Sequence, residues 1–96
     1  MLQSIVLDYR PEAFTELERT MLEAIEFGAR QVVLNLDALN VLDNDGVRAL
    51  IRLLRRARAV GGALALQTSK PAVLRTLSVT ALDRIFEMAL PPRSYR

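Results

Sequence analysis

A chain of 96 residues, half of them hydrophobic, has room for a single domain with one modest core. Cysteine and histidine are both missing, which excludes disulfides, thiolate or imidazole zinc sites, a cysteine nucleophile and a Ser-His-Asp triad. Charge is close to balance, 13 Lys+Arg against 11 Asp+Glu, and Tyr9, Phe14, Phe27, Phe86 and Tyr95 are not interleaved with a basic stripe, so no nucleic acid partner is expected.

"MLQSIVLDYR" lacks the basic start and long apolar run of a secretory signal. No apolar run approaches the roughly 20 residues of a membrane span. The expectation is one cytoplasmic domain over residues 1–96, with no direct membrane insertion. Ser4–Tyr9 is short and rich in β formers and predicts a strand. Pro11 suits a first helical turn. Phe14, Leu17, Met21, Leu22 and Ile25 then recur at the helical period, with Glu12, Glu16, Glu18 and Glu23 on the other face. Gly28 closes that helix where a left-handed backbone is needed.

Gln31–Leu39 predicts a second strand. Its near-continuous run Val32, Val33, Leu34, Leu36 suggests a central strand with helices above and below. Asp43-Asn44-Asp45-Gly46 follows. Val47, Leu50, Ile51, Leu54 and Ala57 then mark the best-defined helix, with Arg48, Arg52, Arg55, Arg56 and Arg58 off its apolar stripe and Gly61-Gly62 as its stop. Ala63–Gln67 is a third strand, Pro71 starts a short helix through Val73, Leu74 and Leu77, and Arg84–Leu90 reads as a last strand closed by Pro91-Pro92. The alternation predicts an α/β fold: a mostly parallel four-stranded sheet, with room for an extra edge strand, and helices packed on it through right-handed crossovers. An exposed sheet edge would also admit a homodimer.

In such sheets functional residues gather at the carboxyl ends of strands, where the Asp43 corner falls. Asp43 suits an N-cap, and Asp45 lies in the first turn, where the helix dipole favours negative charge. The corner is too short for a calcium loop, which takes about 12 residues and a distal Glu. Asp37 also follows an apolar strand, but a phosphoaspartate site needs more acids nearby for Mg²⁺, so Asp37 reads as a polar strand-end residue. Catalysis without His or Cys would need a carboxylate pair or a lysine base. The lone lysine, Lys70, reads better as a helix start. No enzyme activity and no cofactor are expected.

The pieces "VVLNLDALNVLDNDGVRALIRLLRRAR", "GGALALQTSKPAVLRTL" and "ALDRIFEMA" resemble, in order, the STAS domain, the fold of anti-sigma factor antagonists. The family pattern runs from an apolar strand through Asp-Ser-Ser/Thr-Gly into an apolar and basic helix. Gly-Gly, a strand, a short helix and a Gly-Leu-Asp-x-x-Phe ending follow. Ala81 stands at that ending's usual glycine. The resemblance implies a regulatory protein-binding module whose Ser or Thr is phosphorylated by a serine kinase that doubles as an anti-sigma factor. Here Asp43 and Gly46 match, Asn44 replaces the first hydroxyl residue, and Asp45 stands at the phosphoacceptor. Two roles follow: a permanent mimic of the phosphorylated state, or a phosphorylation-independent docking subunit, as in a lipid-transport ATPase of the ABC type or a larger signalling complex. The resemblance puts partner contact at Asp43, Asn44, Asp45 and Gly46. Arg48, Arg52 and Arg55, sharing one helix face, are either a solvated surface or its extension toward an acidic partner. Thr68 and Ser69 are either secondary phosphosites or simply turn residues.

Overall fold

The computed structural model describes residues 4–88, and for Glu87 and Met88 the backbone alone. Strands β1 (Ser4–Asp8), β2 (Gln31–Asn35) and β3 (Ala63–Gln67) form the body of a parallel sheet in chain order. A two-residue strand, β4 (Glu87–Met88), pairs parallel to β3. The helices are α1 (Phe14–Glu26), entered through a 3-10 turn at Pro11–Ala13, then α2 (Asn44–Ala59), α3 (Pro71–Val79) and the one-turn α4 (Leu82–Ile85). No helix among the described residues is long and apolar enough to cross a membrane.

The expected last strand is corrected here. Leu82–Ile85 is helical, and only Glu87–Met88 of the Arg84–Leu90 stretch pairs within the described residues; Ala89 and Leu90 lie outside them. Ile85 and Phe86 favour strand locally, but Leu82 and Phe86 are both buried in the core, and the helical turn Phe86 N–H to Leu82 carbonyl, 2.9 Å, brings them there together. That turn is reached through Ala81 at φ 62°, a left-handed backbone that costs a residue with a Cβ about 1 kcal/mol.

The placement of helices above and below β2 is also corrected. Val32 and Leu34 of β2 and Leu64 and Leu66 of β3 share one cluster with Leu17, Met21 and Ile25 of α1, Leu50, Leu53, Leu54 and Ala57 of α2, and Val73 and Leu77 of α3. Strand residues of one parity face one side, so α1, α2 and α3 all lie on the same face. Sequential parallel strands joined by crossovers of one hand require that arrangement. The opposite face carries the matched row Val6, Val33, Ala65, in which Val6 is exposed and Val33 and Ala65 are buried.

Strand ends differ from expectation at β2. The sheet ladder continues one residue beyond each strand, through Tyr9 N–H to the Asn35 carbonyl (2.9 Å) and Leu36 N–H to the Gln67 carbonyl (2.8 Å). Leu39 N–H then folds back on the Leu36 carbonyl at 3.0 Å, so the chain turns where the apolar pattern continues.

Candidate functional site

The turn after β2 leads to the acidic corner. Asp43 is the N-cap of α2, with extended backbone (φ −94°, ψ −178°), and its Oδ1 accepts from the Gly46 N–H at 2.8 Å. A side-chain acceptor there satisfies one of the helix's free amide donors. Asn44 and Asp45 are the first two residues of α2, and both are exposed. The Asp45 carboxylate thus stands in the first turn, where the partial positive charge of the helix end favours it. Gly46 has a steric reason of its own: a Cβ there would lie 2.7 Å from Leu42 Cδ1. The close neighbour that requires glycine here belongs to the chain itself.

Beside the corner lies a cleft of about 380 Å³, walled by the start of α1 and the start of α2 and lined by Tyr9, Phe14, Leu42, Asp43, Asp45 and Ala49, among others. Tyr9 is buried at 2% exposure, and burial first, then the Asp43 carboxylate, hold its phenol above the ordinary tyrosine range. Sequence reasoning missed this cleft. Its signal was weak: Tyr9 sits at the end of β1, and only the β1–β2 pairing brings it to the corner.

The arginine face divides. Arg52 Nε donates to Glu18 Oε2 at 3.1 Å and its guanidinium lies 5.9 Å from the Phe14 ring centroid, while Arg56 Nε is 3.7 Å from the same Glu18 oxygen. Arg52 therefore ties α2 to α1. Arg48 and Arg55 are exposed and make no ion pair among the described residues.

A second polar cluster closes the same sheet end. Asp37 Oδ1 accepts from the Thr68 hydroxyl (2.8 Å) and the Ser69 N–H (2.9 Å), and Oδ2 accepts from the Ser69 hydroxyl (3.2 Å). Thr68 Oγ1 in turn accepts from the Lys70 N–H at 3.1 Å, and the Asp37 N–H is held by Asn35 Oδ1 at 2.8 Å. Asp37 is thus a staple between the β2–α2 and β3–α3 loops. Thr68 is buried with its hydroxyl engaged, which accounts for it as a turn residue.

The Ser69 amide, then the Thr68 hydroxyl, lower the Asp37 pKa below the ordinary carboxylate value. A carboxylate depressed in the folded state contributes stability above its unfolded pKa of about 3.9, and that contribution fades as pH falls through the folded value. Asp37→Asn is expected to cost on the order of 1 kcal/mol at pH 7, discounted for partial exposure, and progressively less in acid, as pH falls through the lowered folded-state value. Urea midpoints at pH 7 and in acid check this; an equal deficit at both would contradict it.

The sequence pattern of the STAS domain matches residues 12–93 of the chain, and the chain belongs to the STAS domain family. The fold is shared with TM1081 in its NMR structure, at TM-score 0.68 and 22% identity over 88% of this chain and 73% of that one. The crystal structure of TM1081 of Thermotoga maritima, a candidate anti-sigma factor antagonist, gives 0.63 and 23% over 95% and 75%. An anti-sigma factor antagonist of Mycobacterium paratuberculosis gives 0.62 and 19% over 95% and 79%. No curated protein matches the chain.

Proposed function

We propose that this chain is a non-enzymatic regulatory docking module whose contact surface is the α2 corner, with Asp45 as a fixed charge where relatives carry a reversible one. The observation that carries the reading is the exposed Asp45 in the first turn of α2, beside the Asp43 cap. An aspartate bears one negative charge, about half that of phosphoserine, and no serine kinase can add or remove it. The partner is a protein of the serine-kinase anti-sigma type, and the corner, extended by Arg48 and Arg55, meets it without a phosphorylation switch.

The test combines purified wild type, Asp45→Ser and Asp45→Ala with the serine-kinase anti-sigma factor of the source genome. Wild type should take no phosphate at this site. Asp45→Ser should gain one by mass spectrometry and change partner affinity at least tenfold, about 1.4 kcal/mol. A serine variant that is neither phosphorylated nor altered in affinity would overturn the mimic. Equal affinity of wild type and Asp45→Ala would instead make the docking independent of this charge.

A further inference from the structure

The cleft beside the corner contains a hydroxyl with nothing to bond. Tyr9 is 2% exposed, yet its phenol has no hydrogen-bond partner among the described residues. No fully buried side-chain oxygen among those residues lacks a partner, so this hydroxyl reaches solvent, and the cleft is the opening Tyr9 lines. Among the described residues, the only charged groups that line it are the carboxylates of Asp43 and Asp45. The rest of the wall is apolar or aromatic, with Phe14, Leu42 and Ala49 in it. Arg52, on the Phe14 ring, is already paired with Glu18.

A cleft with an aromatic and aliphatic wall, two carboxylates and a spare hydroxyl rejects phosphate and other anions by charge. It suits a cation on an apolar stem, because the stem buries against the wall while the head meets the carboxylates. A planar guanidinium also stacks on aromatic rings. We propose that this cleft receives an arginine side chain of the protein partner, with Tyr9, Asp43 and Asp45 as its polar contacts. The inference rests on the docking reading above and names what the partner inserts.

The experiment needs no partner. N-acetyl-arginine amide is titrated into the labelled protein and followed by amide and Tyr9 ring NMR shifts, with N-acetyl-citrulline amide as the neutral isostere. A probe of this size should bind with a Kd on the order of millimolar, shifting Gly46 and Ala49 and the Tyr9 ring. Citrulline should bind at least fivefold more weakly, and Asp45→Asn should narrow that gap. Ala49→Leu, a good helix former that fills the cleft, should abolish the shifts. Tyr9→Phe should weaken arginine at least twofold while leaving the unfolding midpoint unchanged or raised, because its hydroxyl has no internal bond to lose. Equal binding of arginine and citrulline, shifts elsewhere on the surface, or no shift at all would overturn the proposal. Failure here with phosphorylation gained by Asp45→Ser would remove the arginine and leave the docking module standing.

Discussion

Leu50→Ala is expected to destabilise the domain by about 3–4 kcal/mol. Leu50 is fully buried and lies one turn inside α2 from Gly46, in the cluster that joins α1, α2 and the sheet. Removing its isobutyl group forfeits the transfer energy of the lost carbons and leaves a cavity that rigid neighbours such as Leu34 and Leu66, both fully buried, fill only in part. A loss of this size is a large share of the roughly 5–15 kcal/mol available to a small domain. It should shift the thermal midpoint by more than about 10 °C. Urea unfolding followed by circular dichroism reads it directly, and a loss under about 1 kcal/mol would mean that the cluster is not packed as described.

The second large effect is at Gly62. A Cβ there would lie 2.6, 2.8 and 2.9 Å from three carbons of Ile25, including Cγ1 and Cγ2. Swinging the terminal methyl aside cannot relieve a contact that involves both branches, so α1 must shift from β3. Gly62→Ala should cost about 2 kcal/mol, within the usual range for an overpacked core. Ile25→Ala creates a void at that spot, and the double variant should be at least about 1 kcal/mol more stable than the two single losses predict. Gly61→Ala is the control. Gly61 has φ 85° and open space at its Cβ, so its penalty is backbone strain, and Ile25→Ala should not rescue it.

These two glycines show how far the sequence could be read. "GG" after an amphipathic helix signals a stop, and Gly61 is that stop. Nothing in the pair reveals that Gly62 serves a different purpose, because its neighbour Ile25 comes from another element. The same distinction runs through the fold. Asp43 as a cap and β3 as Ala63–Gln67 were legible because local chemistry decides them. The run Val32-Val33-Leu34 suggested helices on both faces, since local hydrophobicity records burial without recording what does the covering. The Leu82–Ile85 turn overrode the strand preference of Ile85 and Phe86, and Ala81, where the family resemblance expects glycine, adopts the backbone that glycine would favour. At the site, the acidic corner was visible as a motif. The cleft was not, because Tyr9 and Asp43 meet only after β1 and β2 pair. Arg52 was grouped with Arg48 and Arg55 by spacing, while the Glu18 that engages it belongs to α1.

Among the described residues, every strand of this sheet pairs only with its nearest neighbours along the chain. The polypeptide therefore winds as an open coil, each βα turn leaning on the turn before it, in the manner of a short solenoid. Among the described residues, its stability is built from adjoining layers. A break within α2 would split the coil through its middle.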